Sequence, residues 1–350
     1  MSPVTSRLRP TRQRGFSLIE IMVGVVIGLI AVLVIYQVFA AAEGIKRNTT
    51  SAGDAQQNGL LSSFMLTVEL MNASNGVASA MQDLGTCPTT GSMATSFHPI
   101  PVLITDSGDP TLPDQFVVNY SVSNSVVAPA PFTQNAAAGA SYVVQSPLGF
   151  KVGDLVVAIS GGGKCDPSKI TAVSAPDAGT GEVTITHTGA PDPFSTDAFL
   201  LNMGSAANAQ RIRYDVDANR VLRSTALWDS SGAAVAQPPN PLASNIVNMK
   251  LQYGIDTGTD GLMDTWVNAT GAWDAPAVLA APITTLTKIK AVRIAILVRG
   301  EQWDKTLGDY SWSFFDGTVS GTILAAGGNY RYRIYETVVP MRNSIWNFTP

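Results

Sequence analysis

A lone carboxylate, Glu20, stands at the head of an uncharged apolar run, residues 21–42, and four arginines, Arg7, Arg9, Arg12 and Arg14, precede it with no acid among them. An ionisable group within hydrocarbon costs on the order of 3 kcal/mol even on the milder insertion scales, and such groups generally have a partner and a function. No cation lies in the run that follows, so the partner of Glu20 is expected from outside its own span. A second set of carboxylates, Asp256, Asp260 and Asp264 in "DTGTDGLMD", falls with Gly261 at positions 1, 5, 6 and 9 of an EF-hand-type loop. Calcium wants six to eight oxygens and usually a bidentate Glu at position 12. Gly258 and Val267 stand at positions 3 and 12, so a Gly/Asp turn between strands is the expected reading and a calcium site the alternative. Catalytic chemistry finds little support. His98 and His187 are the only histidines, no G-x-S-x-G elbow occurs, and "GGGKC" fails as a phosphate loop because Ala158 and Cys165 replace the required Gly and Ser/Thr. The chain is therefore not expected to be an enzyme. Trp266, Trp273, Trp303, Trp312 and Trp346 are expected in the core or in subunit contacts rather than on a sugar-binding surface.

The elements that position these groups begin with the apolar run. Twenty-two residues at about 1.5 Å each reach about 33 Å, enough to cross a bilayer core. The arginines before the run favour a cytoplasmic N-terminus and put the large C-terminal part across the membrane. A cleaved secretory signal fits poorly, because the run is too long and continues into a helix-like segment without a small-x-small site. The formal charge is −4 over 350 residues, and loss of the four leading arginines lowers it by four more. With 14% charged residues, this acidic body does not read as a nucleic-acid binder. In an exported, oxidising setting the only two cysteines, Cys87 and Cys165, are expected to form a disulfide.

Residues 12–20, "RQRGFSLIE", followed by the long apolar tail, resemble the processing site of type IV prepilins. The resemblance implies cleavage between Gly15 and Phe16 by a prepilin peptidase on the cytoplasmic side, and N-methylation of Phe16. It makes Glu20 the fifth mature residue, whose carboxylate pairs with the amine of Phe16 on a neighbouring subunit and fixes the register of side-by-side helices. Where a typical major pilin has Pro at the twenty-second mature position, this chain has Gln37, so the helix kink associated with that proline is in doubt. Gly24 and Gly28 form a G-x-x-x-G pattern that could permit close helix contact. Beyond the span, Leu61, Phe64, Val68 and Met71, flanked by Leu60 and Met65, recur at spacings of three and four and predict an amphipathic stripe lying on a globular domain. The pattern predicts one helix from about Phe16 to about Asn72, loosened at Gly44, Gly53 and Gly59, with Asn75-Gly76 as its stop.

After residue 76 the pattern changes to short β-rich runs broken by Pro, Gly, Asn and Asp. Strands are expected at 102–105, 115–122, 141–145, 154–160, 182–188 and 198–203, a hairpin over 210–227 with its turn near "DAN", and further strands at 245–255, 289–298 and 330–339. Val292, Ile294, Ile296 and Val298 should share one face. "YRIYETVVPMRNSIW" (332–346), "NIVNMKLQYGIDTGTDG" (245–261) and the arginine-bearing hairpin resemble the PilW family of minor pilins. That resemblance implies an α+β, type IV pilin-like fold, with a long N-terminal helix packed on an antiparallel β-sheet domain that carries a β-rich insertion. The expected divisions are a leader (1–15), the helix (16–75, spanning at 21–42), a variable β-rich region (76–205) and the C-terminal sheet region (206–350). The implied function is a minor pilin in the initiation and assembly of a type IV pilus. Its implied partners are other minor pilins and the major pilin through the N-terminal helix, the prepilin peptidase and the inner membrane, with no nucleic acid and no cofactor beyond the calcium alternative. Two rival functions stand beside it: a pseudopilin of a type II secretion system, and an adhesion or binding module displayed at a pilus tip through residues 77–205.

Overall fold

A computed structural model of the protein describes residues 15–76, 100–122, 129–145, 149–160, 164–189, 192–205, 209–227, 236–258, 260–324 and 328–342. Helix α1 runs unbroken over Leu18–Asn72. The strands are β1 (Val102–Thr105), β2 (Gln115–Ser121), β3 (Ala130–Pro131), β4 (Tyr142–Val144), β5 (Asp154–Ser160), β6 (Lys164–Val173), β7 (Val183–His187) and β8 (Phe199–Ser205). They continue with β9 (Ala209–Val216), β10 (Leu222–Ala226), β11 (Asn240–Ala243), β12 (Ile246–Ile255) and β13 (Thr265–Asn268). Short helices α2 (Ala275–Ala280) and α3 (Ile283–Leu286) precede β14 (Ile289–Arg299), β15 (Tyr310–Phe314), β16 (Val319–Ile323) and β17 (Tyr332–Pro340). The chain divides into two compact units, Met1–Ser51 and Ala52–Pro350.

In the first unit, residues 18–50 of α1 carry apolar side chains exposed on every side, among them Ile19, Leu29, Tyr36 and Phe39. The β-branched residues that fill this run are indifferent helix formers in water, but in a bilayer a helix satisfies every backbone group internally. It is a helix long and apolar enough to cross a membrane.

In the second unit, α1 from residue 52 onward presents Ala55, Gly59, Ser62, Leu66 and Leu70 to the core, at spacings of three and four, and Ala73 just beyond its end continues the row. This corrects the expected stripe. Leu60, Leu61, Phe64, Val68 and Met71 are instead between 38% and 68% exposed, and at about 100° per residue they lie on the opposite face of the helix. Both faces have helical spacing; the sheet takes the one with small residues because these let the helix backbone come close. A Cβ at Gly59 would lie 2.0 Å from Cε2 of Tyr335 on β17, so a larger residue there would have to displace that ring. Gly59 is thus a packing contact, and the helix continues through it.

Two antiparallel sheets share the core with α1. One has the order β1-β2-β9-β10-β11 and the other β13-β12-β14-β17. Leu66 and Leu70 of α1 join Ile104, Phe116, Tyr214, Leu251 and Tyr253 in a single apolar cluster. Val292, Ile294, Ile296 and Val298 enter the same cluster from one face of β14, as their alternation predicts. The alternate residues Ala295 and Leu297 are buried too, against Trp312, Phe314 and Phe315 of the β15–β16 hairpin and its turn. β14 therefore has both faces covered, which is why its sequence is almost continuously apolar. Two buried polar links join the sheets. Tyr253 on β12 accepts a hydrogen bond from the Ile104 N–H (2.7 Å) and donates to the Val102 carbonyl (3.2 Å). Lys250 Nζ pairs with Asp114 Oδ1 at 2.6 Å, and its two other donors go to Ser107 Oγ and the Asp109 carbonyl. Burial pushes the Asp114 carboxyl above the usual carboxylate range in spite of that cation.

The remaining six strands form a separate sheet of order β3-β8-β5-β6-β7-β4. A bridge between Phe132 and Val144 joins its two ends and closes it into a small barrel. Its interior is filled by Phe132, Tyr142, Val156, Ile170, Ile185 and Phe194. β2 and β9, which flank this barrel in sequence, pair directly with each other, down to Ser121 opposite Ala209. The barrel is an insertion hung on one hairpin of the main sheet.

Candidate assembly surface

The N-terminus of α1 is capped by two of its own residues. The Ser17 N–H donates to Glu20 Oε2 at 3.1 Å, and Ser17 Oγ accepts from the Ile19 N–H at 3.4 Å. This is a capping-box arrangement, and its S-x-x-E signature stands in "SLIE", a local role for Glu20 that sequence reasoning missed. Among the described residues Glu20 Oε1 has no partner, so one oxygen of the carboxylate holds the helix start and the other is left over. Gly15 and Phe16 lie immediately before this cap, in no helix or strand, with Phe16 83% exposed.

The other surface feature is the outward stripe of α1 in the second unit. Phe64, Leu60 and Leu61 are its most exposed members. A row of large apolar side chains on one helix face, in a protein whose core is already filled, marks a contact surface.

The remaining expected sites divide. Asp256, Asp260 and Asp264 do lie in one turn, after β12, and one oxygen of each bonds within that turn, while Asp256 Oδ1 is buried without a hydrogen-bond partner. Asp264 Oδ2 accepts from the N–H groups of Thr257 and Gly258 and from the Thr257 hydroxyl, and these bonds, the hydroxyl first, hold its carboxyl below the usual range. Asp256 Oδ2 accepts from the Gly261 N–H and lies 3.6 Å from Lys290 Nζ. Asp260 Oδ1 accepts from the Leu262 N–H. Gly261 has φ +80°, where a side chain would be strained. No group of three or more His, Cys, Asp or Glu side chains able to hold a metal occurs among the described residues. Cys165 is buried on β6 and disulfide-bonded, while Cys87 lies outside the described residues. His98 and Trp346 also lie outside them. His187 stacks on Tyr142 at 4.0 Å, with Nε2 2.9 Å from the Ala140 carbonyl, and so helps to seal the barrel. A cleft of about 400 Å³ with mixed polar and apolar walls opens beside Lys250 and Asp114, its polar rim formed by Asp106, Asn268, Thr270 and Ser320. All three donors of Lys250 are already engaged, so among the described residues lining the cleft no cation is free.

Two family models match the chain. Residues 10–36 match the prokaryotic N-terminal methylation motif, which covers Arg12 and Arg14, the cap and the first part of the span. No curated protein and no solved structure matches. The motif and the exposed apolar helix together support membrane anchoring of a prepilin-type chain. Residues 213–343 match the type IV pilus-assembly protein W model, running from β9 to just beyond β17. The two matches together support a PilW-like, prepilin-type protein of the type IV pilus, the PilW likeness lying in that C-terminal segment. The barrel lies outside both matches.

Proposed function

We propose that this minor pilin acts in the initiation and assembly of a type IV pilus, after cleavage between Gly15 and Phe16 by a prepilin peptidase and N-methylation of Phe16. The arginines before Gly15 hold the N-terminus in the cytoplasm, and residues 52–350 lie outside the inner membrane until the subunit enters the pilus. Glu20 pairs with the Phe16 amine of a neighbouring subunit. Two buried opposite charges brought together in lipid cost less than either alone, so the pair favours helices packed in one register. Cleavage leaves Ser17 and Glu20 on the same mature chain, so the cap survives while a new positive amine appears beside it. The observation that carries this reading is the single helix, Leu18–Asn72, apolar and exposed through its first part and bearing an exposed apolar stripe through its second. Other pilins, both major and minor, are the partners with the chemistry to cover it.

Mass spectrometry of the native N-terminus tests the proposal. The expected mature chain begins at methylated Phe16, Gly15→Ala leaves the heavier uncut form, and Glu20→Ala is cut but incorporated poorly into pili. A mature chain beginning elsewhere, or a Glu20→Ala variant that assembles as well as the wild type, would sink it. Neighbouring genes separate this reading from a secretion-system pseudopilin. The disulfide of Cys165 is assigned to Cys87, the only other cysteine in the sequence. Asp256, Asp260 and Asp264 are assigned to a structural turn, so a calorimetric titration with calcium should give no heat. A second reading rests on the barrel, which has its own core and stands apart from the main sheet. It could be displayed at a tip as a binding module, and surface binding lost on deletion of residues 122–208 would favour that role.

A further inference from the structure

Two arginines meet at one end of the second unit without an acid between them. Arg299 ends β14, and its N–H donates to the Asn245 carbonyl at 2.9 Å. Arg220 lies in the β9–β10 turn, and its carbonyl accepts from the Ile246 N–H at 3.0 Å. The backbones of the two arginines are thus tied to the same Asn245–Ile246 step. Arg299 lays its guanidinium carbon 3.9 Å over the ring of Tyr330. A guanidinium stacked on a ring through its flat face keeps its N–H edge able to bond in its own plane. The Nε–H is nevertheless buried without a hydrogen-bond partner. Tyr332 sits opposite Arg299 in the β14–β17 ladder and stacks on Tyr310 at 4.5 Å, completing an aromatic wall.

Among the described residues neither Arg299 nor Arg220 has an ion-pair partner. The nearby Arg331 is already paired with Asp304 at 3.5 Å. Burial and then the Arg220 charge both weaken the hold of Arg299 on its proton, so the two cations feel each other. Like charges held together with an unmet buried donor, in a protein of net negative charge, are stabilised by an anion that accepts from both.

We propose that Arg299 and Arg220, backed by Tyr330 and Tyr332, form a binding site for an oxyanion, a phosphate, sulfate or carboxylate group. Arg299 is the preorganised half, fixed by its ring contact. Arg220, exposed on its turn, is the half that closes on the ligand. The site lies outside α1 and is independent of the helix-mediated assembly proposed above.

The test is calorimetric titration of the full chain in uncharged detergent micelles, at constant ionic strength, with sodium phosphate in one arm and sodium acetate in the other. Saturable phosphate binding is expected, weakened about tenfold by either Arg220→Gln or Arg299→Gln, as loss of one charge-assisted hydrogen bond implies. Arg331→Gln should leave it unchanged. Arg220 is exposed, so its variant keeps the test valid even if the Arg299 variant folds badly. Phosphate binding without acetate binding supports a phosphoryl or sulfuryl ligand; binding of both supports a site that also takes carboxylates. Absence of saturable binding in both arms, or equal affinity in wild type and Arg220→Gln, would overturn the proposal.

Discussion

The two faces of α1 between residues 52 and 73 have the same helical spacing and opposite fates. The buried face is small at Ala55, Gly59 and Ser62 and large only at Leu66 and Leu70, whereas the exposed face carries Leu60, Leu61, Phe64, Val68 and Met71. Periodicity alone favours the second face for the core, because it holds more apolar bulk. The close fit of Gly59 beneath Tyr335 explains why the first face wins: a sheet packs most tightly on the side that lets the backbone approach, and the bulky side remains for another molecule. The span shows the same division of labour in extreme form, with every side exposed.

Three substitutions would break or sharpen this contrast. Leu66→Ala removes a fully buried side chain and should cost about 2–5 kcal/mol in chemical denaturation of the full chain in micelles. Gly59→Ala should cost about 1–3 kcal/mol by forcing a methyl group into the Tyr335 ring, and a second change, Tyr335→Ala, should recover part of that loss. Phe64→Ser should move stability by no more than about 0.5 kcal/mol, since the side chain is 68% exposed, yet should lower the amount of the subunit recovered in sheared pili. A large destabilisation by the last change, or normal incorporation of it, would mean that the outward stripe is no contact surface.

Much of this was legible in the residues, for reasons that differ by element. The span and strands such as β2, β5, β12 and β14 declare themselves because their apolar patterns are long and locally complete. The turn at Asp217–Arg220 was readable because Asp217 Oδ1 takes the Asn219 and Val221 N–H groups, the chemistry for which Asp is favoured in turns. β6 went unseen because Lys164, Asp166, Pro167 and Lys169 disguise a strand whose partner, β5, supplies most of the apolar character. The β15–β16 hairpin was missed because only Trp312 and Phe314 of β15 are core residues, alternating with serines. The pairing of Ser121 with Ala209 leaves no local trace, since it joins segments separated by a long stretch of chain, and the closure of the barrel through Phe132 and Val144 rests on a single bridge with no strand pattern of its own. The choice between the two faces of α1 depends on the shape of its receiver and could not be made from the helix alone.

Because Ser121 and Ala209 stand side by side, the main sheet closes its hydrogen-bond ladder regardless of what the intervening chain does. Such a junction works as a socket. Lengthening, trading or deleting the cargo between its two contacts alters loop-closure entropy only slowly with length, and leaves the apolar cluster around Phe116 and Tyr214 in place. An engineered epitope placed there would therefore meet an architecture already suited to receive it.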